Sequence, residues 1–127
     1  MEFTTEGFRD VLTGVMTPQL FYESAERLRS WANRSHQSLS LIAIELSGIT
    51  HETFVKSARE IEAEMRGGDL VTRLKMDTLV VMLIGDSLAA DHVIQRLDDR
   101  IRPRPRFRKI ELEEKMELVV ALDYLAV

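Results

Sequence analysis

The sequence of 127 residues contains no cysteine. This absence excludes disulfides, thiolate metal sites and a cysteine nucleophile. No apolar run approaches the ~20 residues that a helix needs to cross a bilayer, and the first residues, MEFTTEGFRD, lack the basic and then apolar pattern of an export signal. Together these absences predict a soluble, cytoplasmic protein that does not bind membranes.

Signatures of several common sites are missing as well. There is no phosphate-cradling P-loop, no Gly-x-Ser-x-Gly elbow and no Rossmann fingerprint. His36, His51 and His92 are far apart in sequence and show no metal-ligand spacing, so we interpret them as surface or capping residues. The net charge of −4 provides no general attraction to nucleic acid.

What the chain does contain is typical of one globular domain. Hydrophobic residues make up 45% of the sequence and charged residues 30%, which are ordinary values for a soluble protein. The length is sufficient for a single core, and the sequence has no internal repeat or low-complexity linker. We therefore predict one domain over residues 1–127, with residues 1–9 as a flexible lead-in.

Hydrophobic spacing predicts alternating helices and strands. Thr17 and Thr50 are placed to cap helices, and Gly67 is placed to end the second helix. A nearly continuous apolar run at residues 39–46 predicts a buried central strand. The other predicted elements are strands at 69–74 and 78–84, a third helix capped by Asp86 or Ser87 with an inner face that includes Leu88 and Leu97, and a closing strand within residues 116–127.

The order of these elements predicts the fold. After the leading helix, the order is strand, helix, strand, strand, helix, strand. Right-handed crossovers fold this order into a ferredoxin-like βαββαβ antiparallel sheet with helices on one face. The predicted fold class is therefore α+β with an extra N-terminal helix. Because many unrelated functions share this topology, function has to be argued from sites.

Residues 66–83, RGGDLVTRLKMDTLVVML, are the most informative stretch. They predict a strand, a tight turn that carries Asp77, and a second strand. This arrangement resembles the signature hairpin of the GGDEF (diguanylate cyclase) family, whose two turn glycines are replaced here by Lys75 and Met76. The five signature positions are occupied by Lys75, Met76, Asp77, Thr78 and Leu79.

Two earlier segments are similar to the same family in order and spacing. Residues 10–18, DVLTGVMTP, keep the first half of the family's opening motif and lose its Asn-Arg pair. Residues 45–50, ELSGIT, follow the first strand where the family has Asp-x-Asp-x-Phe-Lys. The segment that holds the guanine base in the family looks deleted, and the family's last helix looks absent. The resemblance implies a nucleotide-cyclase-like fold.

The resemblance also implies a chemistry, the joining of two GTP molecules into cyclic di-GMP. The family uses paired carboxylates to hold metal against triphosphate oxygens, and Glu45 and Asp77 stand at those positions. Lys75 and Met76, however, put bulk where glycines let the backbone approach phosphate. We therefore predict a catalytically degenerate signalling domain without a cofactor. The alternative is an enzyme of reduced or altered activity that uses Glu45, Asp77 and Mg²⁺.

A second family site is better preserved. Arg66 and Asp69 have the Arg-x-x-Asp form and the position of the family's product-binding inhibitory site. A guanidinium suits a guanine edge or a phosphate, and a carboxylate accepts from guanine N–H groups. The simpler interpretation is that Arg66 and Gly67 end a helix and Asp69 begins a strand. The expected partners are cyclic di-GMP, a signalling protein or a second copy in a dimer.

A run of basic residues follows the third predicted helix. In an extended chain the even-numbered arginines would form a comb on one face, which suits phosphates, RNA or an acidic protein. Phe107 alone is nearby for stacking, and the acidic segment KIELEEKME follows at once. We therefore expect a solvated, partly neutralised loop, with nucleic acid an unlikely partner. The run comprises Arg100, Arg102, Arg104, Arg106, Arg108 and Lys109.

Overall fold

The computed structural model describes residues 5–6, 9–10 and 13–126, with side chains from residue 13 onward. The side chains of the predicted lead-in, residues 1–9, lie outside the described residues. The described elements, in chain order, are β1 (Thr5–Glu6), β2 (Arg9–Asp10), α1 (Pro18–Ser35), β3 (Leu39–Glu45), α2 (His51–Glu64), β4 (Leu70–Lys75), β5 (Thr78–Ile84), α3 (Ser87–Arg100), β6 (Arg106–Leu112) and α4 (Leu118–Ala126).

The main sheet has four strands in the order β4-β5-β3-β6, and every neighbouring pair is antiparallel. The short strands β1 and β2 pair separately. This order is the ferredoxin-like arrangement, preceded by α1, so the predicted fold class is confirmed. It places β3 and β5 in the centre, and β4 and β6 at the two edges.

Local capping chemistry sets the starts of three helices. Thr17, Thr50 and Asp86 each accept a hydrogen bond from the backbone N–H three residues later, at 3.3, 3.1 and 3.0 Å. Each cap satisfies one of the N–H groups that a helix start leaves without an intrahelical partner. The three predicted helix starts are therefore confirmed.

The sheet is covered by helices on both faces. In β3, Ile42 and Ile44 pack in one core cluster with residues of α2 and α3, whereas Leu41 and Ala43 pack in a second cluster with residues of α1 and α4. The two crossover helices α2 and α3 therefore share one face, as predicted, and α1 and the unpredicted helix α4 cover the other face. A strand that is buried on both faces has a continuous apolar sequence rather than an alternating one, and β3 has such a sequence.

The end of the chain differs most from the prediction. The predicted closing strand within residues 116–127 is wrong, because residues 118–126 form helix α4. The last strand is the basic segment β6, which pairs with β3 along its whole length. Leu118, Ala121 and Leu125 are buried at helical spacing. A short apolar run does not distinguish helix from strand by period, and charge is common on an edge strand such as β6. The expectation that a last helix is absent was therefore wrong, because α4 is a terminal helix.

Two smaller predictions were also wrong, the end of the second helix and the inward orientation of Leu88 in the third. Helix α2 ends at Glu64, because Met65 has extended backbone angles of φ −82° and ψ 149°; Arg66 and Gly67 thus follow the helix and do not cap it. In α3, Leu88 is 62% exposed, and Ala90 is buried instead. Among the described residues, no helix combines the length and apolar character needed to span a bilayer.

Candidate functional site

The signature hairpin is formed as predicted, and its turn is fastened to the central strand. Lys75 pairs with Thr78 across the hairpin, with Met76 and Asp77 in the turn. The carboxylate of Asp77 accepts a hydrogen bond from the Thr78 hydroxyl at 2.9 Å, and its carbonyl accepts one from the N–H of Leu46 at 2.7 Å. The turn is therefore an ordered extension of the sheet.

A buried arginine, which the sequence reasoning missed, donates hydrogen bonds to the backbone of this turn. Arg73 is only 7% exposed, and its guanidinium lies 4.1 Å from the ring centroid of Phe54. Its Nε donates to the carbonyl of Met76 at 3.1 Å. Side chains two residues apart in a strand lie on the same face, so Arg73 shares a face with the apolar residue Val71. This spacing could have shown from the sequence that Arg73 is buried. The turn backbone is thus held by a charge-assisted bond.

The turn also contacts helix α4 through a side chain that the family resemblance does not expect. Lys75 stands at the first turn-glycine position of the signature, and its Nζ donates to the carbonyl of Ala126 at 2.8 Å. A cation is favourable at the carbonyl end of a helix. Lys75 therefore fills space beside the turn and links it to the end of α4.

Glu45 and Asp77 come to the same end of the sheet. Glu45 pairs with Thr78 on one side, next to Asp77, and with Arg106 on the other. Its Oε2 accepts from the hydroxyl of Ser47 at 3.2 Å, and its Oε1 lies 3.9 Å from Nη1 of Arg106. The structure thus places the two predicted residues at one end of the sheet, with the guanidinium of Arg106 beside Glu45.

The family resemblance implies Mg²⁺ at such a pair in an active enzyme. Mg²⁺ takes oxygen ligands, usually one or two carboxylates with substrate phosphates, so the ligand type is suitable. The cation that faces Glu45 is Arg106, however, and a metal ion beside it would be repelled. In the described part of the chain, no three His, Asp or Glu side chains are grouped to hold a metal. Because the guanidinium of Arg106 would compete with a metal ion for Glu45, the fit of this carboxylate to a divalent metal is poor.

Arg66 and Asp69 form a closed turn after α2. The N–H of Arg66 donates to Oδ2 of Asp69 at 3.0 Å, and the N–H of Asp69 donates to the carbonyl of Arg66 at 3.0 Å. The other carboxylate oxygen lies 3.4 Å from the N–H of Ile84, which donates to it. Asp69 therefore shapes this turn, and the exposed side chain of Arg66 takes no part in these bonds.

A groove of about 140 Å³ lies beside this turn. Two polar residues of α3, His92 and Arg96, line it together with Arg66 and Asp69. The sequence reasoning missed both as site residues, although their spacing of four places them on one helix face. We call this site the Arg66 groove. Its remaining lining residues are Leu83, Ile84, Ala89 and Val93.

The predicted comb of arginines is not formed. Only Arg106 and Arg108 of the predicted comb lie within β6 and share a face, because the strand begins at Arg106. Arg104 pairs with Asp98 at 2.6 Å, and this hydrogen bond lowers the pKa of the Asp98 carboxyl. Lys109, on the other face of β6, contacts α3. The basic run therefore divides among separate partners.

Comparisons with known proteins support the fold. No protein-family model matches the sequence, and no curated protein matches it. Among solved structures, the chain is similar to a sensory box/GGDEF family protein from Caulobacter crescentus, with a TM-score of 0.79 and 20% identity over 93% of this chain and 92% of that one.

Two further solved structures are similar at the same level. The GGDEF domain of DgcB from Caulobacter crescentus, in complex with c-di-GMP, matches with a TM-score of 0.78 and 8% identity, over 98% of this chain and 89% of that one. Diguanylate cyclase SiaD from Pseudomonas aeruginosa, in complex with its activator SiaC, matches with a TM-score of 0.79 and 19% identity. That match covers 94% of this chain and 58% of SiaD. The chain therefore has the fold of a GGDEF (diguanylate cyclase-like) domain.

Proposed function

We propose that the chain is a regulatory signalling domain that binds cyclic di-GMP in the Arg66 groove and does not synthesise it. The observation that carries this proposal is that the fold brings His92 and Arg96 of α3 beside Arg66 and Asp69. Two guanidiniums and a carboxylate then face one groove. Solved neighbours of this fold include GGDEF domains studied with cyclic di-GMP, which supports this choice of ligand.

The chemistry of the groove suits a guanine base with an attached phosphate. A carboxylate offers about four acceptor positions, and the backbone N–H groups of Arg66 and Ile84 use two of those of Asp69. The remaining positions are available to guanine N–H groups, and the arginines suit guanine acceptors or phosphate oxygens. The groove is smaller than the roughly 300–1,000 Å³ typical of ligand pockets, so we expect it to hold one base edge.

Calorimetric titration with cyclic di-GMP tests this proposal. Arg66→Ala and Arg96→Ala are each expected to weaken binding by about 10- to 100-fold, because a hydrogen bond to a charged group contributes about 1.5–3 kcal/mol. Arg27→Ala, at an exposed position of α1, is the matched control and should bind like the wild type. Absence of binding by the wild type, or equal binding by the Arg66→Ala variant, would refute the proposal.

A second candidate function is a nucleotide enzyme of reduced or altered activity. It is favoured by the meeting of Glu45 and Asp77 at one end of the sheet. The contacts of Lys75 with α4 and of Arg106 with Glu45 weigh against it, because they place side chains where phosphates and metal would have to lie. We therefore prefer the regulatory domain.

Incubation with GTP and Mg²⁺, followed by chromatography of the products, separates the two candidates. The wild type is expected to form no cyclic di-GMP above a sample without protein. The matched variant is Asp77→Ala. Turnover by the wild type that disappears in this variant would establish the enzyme and overturn the regulatory interpretation.

A further inference from the structure

The outer side of helix α4 is apolar, although it faces away from the sheet. Val119, Val120 and Tyr124 are 46%, 55% and 56% exposed there, and Asp123 is the fourth exposed residue of the helix. The inner side of α4 is apolar as well, and it is buried in the core cluster shared with α1 and the sheet. A helix that is apolar on nearly all sides is usually buried on all sides. We therefore expect a partner to cover the outer side.

The exposed apolar surface continues from α4 onto α1. Tyr22 of α1 is exposed, and it lines the same groove of about 460 Å³ as Val119. Arg29 of α1 donates to the carbonyl of Glu113 at 3.3 Å, which holds α1 against the turn before α4. Exposed apolar side chains that are grouped in this way commonly mark an interaction site. We call this site the α4 surface, and it comprises Tyr22, Val119, Val120 and Tyr124.

The two ends of α4 carry opposite charges. Residues 113–117, EEKME, lead into the helix and have a net charge of −2, from three glutamates and one lysine. At the other end, Nζ of Lys75 donates to the last carbonyl of α4 at 2.8 Å, and the guanidinium of Arg108 lies 5.1 Å from the ring centroid of Tyr124. These two cations outnumber the single carboxylate of Asp123. A surface that is negative at one end and positive at the other complements a copy of itself turned end to end.

We propose that the α4 surface is a self-association site, at which α4 packs antiparallel against α4 of a second copy. A two-fold axis near Val120 places Glu117 of each copy opposite the positive end of the other, so the favourable charge contact occurs twice. A parallel arrangement would bring like charges together. The apolar side chains therefore provide the contact, and the charges fix its direction.

The size of the contact indicates a weak dimer. Helix α4 has nine residues and is therefore about 13 Å long. Interfaces of small area are typical of weak and transient association, so the dimer is expected to form in proportion to protein concentration. The Arg66 groove is lined by residues of α3, β5 and the turn before β4, so this inference does not rest on the binding of cyclic di-GMP.

Sedimentation equilibrium of the whole chain at low salt, at concentrations up to about 1 mM, tests the proposal. The wild type is expected to associate to a dimer. Val120→Glu should raise the dissociation constant by at least about a hundredfold, because it places two unpaired carboxylates in the apolar contact. The matched control is Leu88→Glu, which makes the same kind of change at an exposed leucine of α3 and should associate like the wild type. Circular dichroism checks that each variant is folded.

Three results of this experiment would overturn the proposal. They are a wild type that stays monomeric at every concentration, unchanged association of Val120→Glu, and an equal loss of association in Leu88→Glu.

Charge reversal tests the antiparallel arrangement separately. Glu117→Arg and Arg108→Glu should each weaken self-association by about three- to tenfold, since like charges then face each other at both ends of the contact. An equimolar mixture of these two variants should associate about as well as the wild type, because each copy then supplies the charge that the other lacks. A mixture that associates no better than either variant alone would contradict the arrangement.

Discussion

Replacement of Leu97 by alanine is expected to lower the free energy of unfolding by about 2–5 kcal/mol. Leu97 is fully buried in α3 and packs in the core cluster formed with α2 and one face of the sheet. Its truncation removes apolar contacts and leaves a cavity that the neighbouring elements fill only in part. Urea unfolding followed by circular dichroism measures the loss.

Leu88 is the matched control for this experiment, because it carries the same side chain on the same helix. The sequence predicted that it faces inward, whereas it is 62% exposed in the structure. Leu88→Ala is therefore expected to change stability by no more than about 0.5 kcal/mol. Similar losses for the two variants would show that α3 is rotated relative to this description.

Replacement of Asp123 by proline is expected to destabilise the domain by about 3 kcal/mol or more. Asp123 is an exposed residue inside α4, so the substitution leaves the apolar face of the helix intact. Proline removes the backbone N–H that bonds to the residue four positions earlier, and its ring clashes with that carbonyl. Thermal and urea unfolding, with the helical signal at 222 nm, measure the effect.

Glu114→Pro is the control, since Glu114 is the second residue of the turn before α4. The N–H of Met116 donates to the carbonyl of Glu113 in this turn, and proline is favoured at the second position of such turns. Its effect should be small. If Asp123→Pro were as mild as Glu114→Pro, the assignment of residues 118–126 as a helix would be contradicted.

Most of the fold was predictable because its signals are local. The caps at Thr17 and Thr50 were each predicted from one polar residue ahead of a helical pattern, and the third was predicted as Asp86 or Ser87. Thr17, Thr50 and Asp86 accept the expected N–H groups. The hairpin of β4 and β5 was predictable because the short connection between two apolar segments allows only an antiparallel turn. These elements and right-handed crossovers predicted the ferredoxin-like order of the sheet, although the closing strand was assigned to the wrong segment.

The candidate site was predictable only in part. Arg66 and Asp69 were recognised because they are close in sequence, whereas His92 and Arg96 join them only through the packing of α3 against the sheet. Likewise, the partners of Lys75 and Glu45 lie on α4 and β6, distant in sequence. Pairing between distant residues depends on how elements pack, which a local pattern does not encode.

The amino-acid pattern was sufficient to locate the starts of α1, α2 and α3, the hairpin and the α+β topology, because hydrogen bonds and hydrophobic periods within a few residues control them. Tertiary contacts decided the rest. The basic segment became β6 because β3 had a free edge to pair with it, and the apolar segment after it became α4 because Leu118 and Leu125 could cover the second face of the sheet. β6 satisfies the backbone hydrogen-bonding groups on the free edge of β3, and α4 covers the apolar side chains on the second face of the sheet. This edge and this face exist only after the sheet has formed.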